Sequence, residues 1–202
     1  MKKAKKILAL LLCAILLVGA TIAGTVAYLT DIDNEVTNTF AVGKVVITMD
    51  EAAVNEYGEL LYETDGTTPK ARVLANTYKL VPGRSYKKDP TVHVQSDSED
   101  CYIFVKIDNQ IKDLVDNTTI EAQILAKGWT ALDGVSGVYY KEWAKGSTEV
   151  DLVVFENFKI KADVVAATLN NYAGKTVKVT AYAIQKFGFD TANAAWTGGN
   201  FS

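Results

Sequence analysis

The sequence predicts an all-β fold, an antiparallel β-sandwich or jelly roll with two or three short crossover helices, and three observations carry that expectation. Apolar and polar residues alternate with period two along most of the chain. Strong turn signals interrupt the alternation at Asp65-Gly66, Pro82-Gly83, Asp133-Gly134 and Lys145-Gly146. Helical spacing occurs in only two segments, so the core is expected to form from one inner face per strand.

Taken in order, the chain opens with basic residues 1–6, an apolar run at 7–18 and a small-residue end at 20–27, the arrangement of a secretory signal peptide. Thr25 and Ala27 occupy the −3 and −1 positions of a cut before Tyr28. The uncharged stretch 7–29 is 23 residues long, enough to span a bilayer, so a retained anchor is the alternative reading. Lipid attachment at Cys13 is excluded because Leu12 stands where lipoprotein processing requires a small residue. Residues 28–202 are expected to form one mature domain, since no Pro-rich linker, repeat or low-complexity tract divides them.

Within that domain, Val45, Ile47 and Met49 begin the first alternating strand, and Val92 with Val94 mark another at 91–95. Residues 101–108 and 177–183 follow the same rule, with further strand candidates at 59–63, 72–81, 138–143 and 149–160. Helices are expected at 119–127, behind a Ser/Thr-type cap, and at 162–172, ending at Gly174. The Gly-, Ala- and Asn-rich tail after Phe187 is expected to pack loosely. It has no second apolar span and no sortase-type signal, so surface retention is expected to be non-covalent.

Charge and residue chemistry narrow the function. The four lysines before residue 24 leave 17 basic against 24 acidic residues from Tyr28 onward, a balance of −7, so nucleic acid is not an expected partner. One histidine cannot supply a His-Glu-x-x-His zinc site or serve a Gly-x-Ser-x-Gly nucleophile elbow, and there is no Gly-rich phosphate loop. No catalytic residue, metal ligand or cofactor is assigned. His93 is read as a solvated strand histidine, and Cys101 as a buried small hydrophobe on the face of Ile103, Val105 and Ile107. Residues 31–35 place acids at alternate positions, but Val36 stands where a calcium loop requires Gly; residues 96–100 read as a solvated polar turn. Trp129, Tyr139, Tyr140, Trp143 and Trp196 are the stacking faces that a second reading, a secreted cell-wall or carbohydrate binding module, would use, although such rings more often fill cores.

Three stretches resemble the TasA/camelysin-like family of exported Gram-positive proteins, whose signals are removed by a SipW-type signal peptidase. Residues 24–47 match its junction, with Ala27-Tyr-Leu-Thr-Asp31 across the cut and Asn38-Thr-Phe-Ala-Val-Gly43 before the first alternating strand. Leu80-Val-Pro-Gly83 and Ala181-Tyr-Ala-Ile-Gln-Lys-Phe-Gly-Phe189 match its internal turn and its ending. The resemblance implies a jelly-roll protein secreted to the biofilm matrix or cell surface, with itself, other matrix proteins or cell-wall polysaccharide as partners and the signal peptidase during export. It further implies fibre growth by donor-strand addition, here through residues 28–40, with Tyr28, Leu29, Ile32, Val36 and Phe40 as the donor side chains. Pairing of that segment within its own subunit is the open alternative. Camelysin is described as a metallopeptidase, but with one histidine no catalytic residue is carried over.

Overall fold

Alternation becomes antiparallel sheet wherever the apolar series of one strand can face that of another. The computed structural model describes residues 44–116 and 120–201. The cleavage positions Thr25, Ala27 and Tyr28, the donor residues Tyr28, Leu29, Ile32, Val36 and Phe40, the acidic run 31–35 and the capping position 119 lie outside the described residues.

Nine strands lie among the described residues: β1 (Ile47–Asp50), β2 (Ser85–Lys87), β3 (Thr91–Val94), β4 (Cys101–Asn109), β5 (Thr130–Ala131), β6 (Val138–Trp143), β7 (Asp151–Val153), β8 (Asn157–Lys159) and β9 (Val177–Gln185). Every pairing is antiparallel, in sheets ordered β1-β3-β7, β2-β8 and β5-β6-β4-β9. Three short helices, α1 (Ile120–Ala126), α2 (Ala166–Asn170) and α3 (Ala192–Gly198), complete an all-β protein. Gly66, Gly83, Gly134 and Gly146 all adopt left-handed backbone, φ from 70° to 81°, as the four expected turns require.

One core joins the sheets. Val92 and Val94 of β3 and Leu152 of β7 pack in the same cluster as Cys101, Ile103 and Val105 of β4, and Ile120 and Ile124 of α1. Tyr86 of β2 stacks on Phe158 of β8 at 5.1 Å between ring centroids and belongs to that cluster too. Cys101 is fully buried as expected, and desolvation pushes its thiol pKa up to about 11.

The structure corrects several local expectations. Residues 149–160 do not form one strand: Val154 and Phe155 are both fully buried in succession, which alternation in a one-faced strand does not permit, and the chain there passes from β7 in one sheet to β8 in another. Residues 72–81 are not a strand either. Beyond the Glu51–Val73 bridge and a backbone bond from the Lys79 N–H to the Glu56 carbonyl at 2.7 Å, side chains hold the segment: Asn76 Oδ1 accepts from the Val54 N–H at 3.0 Å, and the Tyr78 hydroxyl donates to the Lys87 carbonyl at 3.0 Å. Residues 59–63 form only the isolated bridges Val54–Leu60 and Tyr62–Pro69. The second expected helix contracts to α2, while strands β2 and β5 had no clear periodic signal.

The tail is the largest correction. Thr191 Oγ1 caps α3 by accepting from the Ala194 N–H at 3.1 Å, and Ala192 and Ala195 are buried against the outer face of β4. Tyr102 and Phe104 of β4, Leu132 and Val138 join them in a second cluster. Trp196 packs edge-on to Phe104 at 5.2 Å and to Tyr182 at 5.5 Å, with Phe201 at 5.4 Å. Small residues that looked unstructured in sequence are what let a helix approach the sheet closely. Replacing Trp196 with Ala should therefore destabilise the fold by about 3 kcal/mol; urea unfolding should show a lower midpoint with little change in slope, and an unchanged midpoint would mean the tail packs without energetic consequence.

Candidate functional site

A cleft of about 930 Å3 lies between the outer edge of β1 and the outer edge of β9. Met49, Ile111, Phe158, Leu169, Val177 and Val179 supply its apolar lining. α2 and the residues leading into β9 close one side, and residues 74–80 close the other.

Among the described residues both bordering strands are sheet edges. On β1, the Glu51–Val73 pair exchanges two backbone hydrogen bonds of 2.8 Å on the side away from β3. Antiparallel parity turns the backbone groups of Met49 and Ile47 to that same side, where no strand among the described residues pairs with them. On β9, the bonds flanking the ladder run from the Lys186 N–H to the Asp100 carbonyl at 2.7 Å and from the Gln110 N–H to the Thr176 carbonyl at 3.0 Å, so even-numbered residues bond to β4. Val177, Val179, Ala181 and Ala183 consequently turn their N–H and C=O groups away from β4. Their side chains point into the main core yet remain only half-buried. A nine-residue edge with half-covered apolar side chains is a template for another strand.

Polar residues at the cleft bond to one another. Lys88 and Glu51, whose side chains are 11% and 5% exposed, form an ion pair at 2.5 Å, and Asn76 Nδ2 donates to Glu51 Oε1 at 2.8 Å and to the Ala52 carbonyl at 2.9 Å. Burial this deep makes the pair costly to break, because the survivor becomes an uncompensated charge. Desolvation, reinforced by the Glu51 and Asp89 carboxylates, raises the pKa of the Tyr78 hydroxyl.

Beside the cleft, a charge cluster ties β1, β3 and β7 together. His93 lies with Nδ1 2.7 Å from Asp151 Oδ1 and Nε2 2.9 Å from Asp50 Oδ1. Arg72 binds Asp50, reaches Asp89 Oδ2 at 3.4 Å and donates to Thr91 Oγ1 at 2.9 Å. The expected solvated histidine is thus a bridge, its side chain 29% exposed, because the antiparallel register places Asp151 directly opposite it. Burial alone would lower the His93 pKa, but hydrogen bonds and charge from Asp50 and Asp151 outweigh it and raise the value. Asp50 is also partly desolvated, which raises its pKa, but Arg72 and His93 hold it below the ordinary carboxylate value.

The other sequence-selected residues fall elsewhere. Trp129, Tyr139 and Trp143 are buried in the main core, with Trp129 Nε1 donating to the Val153 carbonyl at 3.0 Å and Trp143 Nε1 to the Glu149 carbonyl at 2.8 Å. Tyr140 and Trp196 pack around the second cluster, so these five do not form one exposed aromatic face. In the acidic turn, Ser98 is buried and accepts from the Val46 N–H at 3.2 Å, Asp97 pairs with Lys44 at 3.1 Å and Glu99 with Lys145 at 2.7 Å. Among the described residues no group of three or more His, Cys, Asp or Glu is arranged to hold a metal ion, and no helix is long and apolar enough to cross a membrane. Sequence reasoning missed Glu51, Arg72, Asn76 and Lys88: Arg72 and Asn76 lie in a segment expected as a strand, and all four act through contacts with residues distant in the chain. No family model matches the chain, and neither a curated protein nor a solved structure matches it.

Two outcomes follow from these contacts. Lys88→Ala should cost about 3 kcal/mol by stranding Glu51, whereas Lys88→Met with Glu51→Leu should recover most of that loss; equal losses in both variants, read by denaturant melts, would refute the stranded-charge account. His93 has a folded pKa above its ordinary 6.5, so its stabilisation is complete below 6.5 and disappears as pH rises through the higher folded value. The melting temperature should fall over that window in the parent chain but not in His93→Gln, and a flat parent profile would contradict the bridge.

Proposed function

We propose that this chain is an exported, non-enzymatic structural protein of the biofilm matrix or cell surface, with its sheets arranged as a jelly-roll sandwich, whose subunits join by adding residues 28–40 of one copy to the β9 edge of the next. The observation that carries this reading is β9 itself: nine residues long, paired on one side only among the described residues, and lined by Val177, Val179, Ala181 and Ala183 in a half-buried state. Strand addition would supply backbone hydrogen bonds along the edge and bury those side chains, and a head-to-tail contact that does not close yields a filament. The shared core of the two larger sheets supports the sandwich, and the export-type leader in sequence supports a destination outside the cell. Glu51, Asn76 and Lys88 satisfy one another, which favours binding over chemistry at the cleft.

Residues 28–202 with a native Tyr28 terminus should form filaments visible by electron microscopy and light scattering, and the chain lacking residues 28–39 should remain a folded monomer. Ala181→Pro removes an N–H directed away from β4, so the monomer should fold while assembly is lost. Thr180→Pro removes a ladder bond to β4 and should unfold the protein instead. Folded monomers from the full mature chain would defeat the proposal.

A further inference from the structure

The two ends of β9 differ in charge. Lys79, Lys88, Lys175 and Lys178 all line the cleft, which meets β9 at its start, Val177–Val179. The carboxylates there, Asp50 and Glu51, are already bound to Arg72 and Lys88. Lys79 lies 5.8 Å from the Tyr57 ring centroid, while Lys175 and Lys178 make no ion pair among the described residues; Asp108 is opposite Lys178 on β4. At the far end of β9 the charges balance locally, with Lys145 on Glu99, Lys44 on Asp97 and Lys186 on Glu142. With Lys88 neutralised by Glu51, the remaining lysines Lys79, Lys175 and Lys178 outnumber the facing Asp108, and this local excess of positive charge selects an acidic occupant.

The proposed donor has that character at one end only. Residues 28–40 contain Asp31, Asp33 and Glu35 and no basic residue, and their second half is Val36-Thr-Asn-Thr-Phe40. Turning Ile32, Val36 and Phe40 toward the core places Asp31, Asp33 and Glu35 on the opposite face. Lys178 lies on that same outer face of β9, because it shares parity with Tyr182 and Ile184, which pack in the outer cluster.

Resting on the strand-addition reading above, we infer that the cationic end fixes the polarity of assembly: the incoming segment of a second copy runs parallel to β9, with Asp31, Asp33 and Glu35 beside Lys175 and Lys178 and with Phe40 toward Ala183. The opposite direction would place the three acids near Glu99 and Asp100 and leave the lysines uncompensated. Polarity is thereby set by charge, while backbone pairing supplies the hold.

The test uses the mature chain, residues 28–202. Lys175→Glu with Lys178→Glu, or Asp31→Lys with Asp33→Lys and Glu35→Lys, should each slow filament growth roughly tenfold, and combining both sets in one chain should restore it, because opposite-charge neighbours attract and like charges repel across strands. Filaments carrying Glu35→Cys and Lys178→Cys should form an intermolecular disulfide on oxidation, and those carrying Glu35→Cys and Gln185→Cys should not; Cys101 is buried and out of reach. Charge-insensitive growth, or cross-linking at position 185 instead of 178, would overturn the polarity while leaving strand addition intact. Absence of filaments from the parent chain would overturn both.

Discussion

The pairing of β4 on both edges and the burial of both its faces is the constraint from which the rest of the molecule follows. Along Cys101–Asn109 the chain is bonded to β6 on one edge and to β9 through nine residue pairs on the other. Its inward residues Cys101, Ile103 and Val105 enter the main core, and its outward residues Tyr102 and Phe104 enter the second cluster under α3. A strand enclosed in this way cannot slip register by one residue without exchanging two differently shaped surfaces. Everything sequentially adjacent to it must therefore be placed around it.

That placement decides where the sheets end. With β4 central and β6 and β5 on one side, β9 is the outer strand of its sheet among the described residues, just as β1 is the outer strand of the other. Natural edges are commonly blunted by charge, proline or a covering element. β9 instead presents Val, Ala and Thr along most of its length, with lysine only toward its beginning. The covering helix α3 packs on the sheet's outer face. Pairing the edge through the chain's own backbone chemistry is the physical basis of the structural role proposed for the protein.

Electrostatics acts on the same region at two depths. The buried Lys88–Glu51 pair fixes the end of β1 to the segment before β3, and its strength comes from exclusion of water. The more exposed His93, Asp50, Asp151 and Arg72 cluster links β1, β3 and β7 and responds to pH, because a protonated imidazole is needed to satisfy two carboxylates at once. Lys175 and Lys178 at the start of β9 are exposed, where charge adds little to the stability of the fold.

Much of the β framework was legible in sequence because period-two alternation reports directly on which side chains share a face. The strand at 138–143, the run from Cys101, the run from Val177 and four turn glycines follow from local chemistry alone, as does burial of Cys101. The break between β7 and β8 was not legible, since Val154 and Phe155 look like continued strand, yet both are buried in the main core where the chain leaves one sheet for another. Nor was α3, because a run of Ala, Asn, Thr and Gly gains its helical state from the aromatic surface of β4 and β9. The candidate site divides the same way. Sequence alone determined the alternation along residues 177–183, whereas tertiary structure decided that β9 is an edge among the described residues, that β1 lies across a cleft from its start, and that Glu51, Asn76 and Lys88 converge beside them. Alternation records which way a side chain turns; which strand becomes its neighbour depends on contacts between residues far apart in the chain, and no local pattern encodes those.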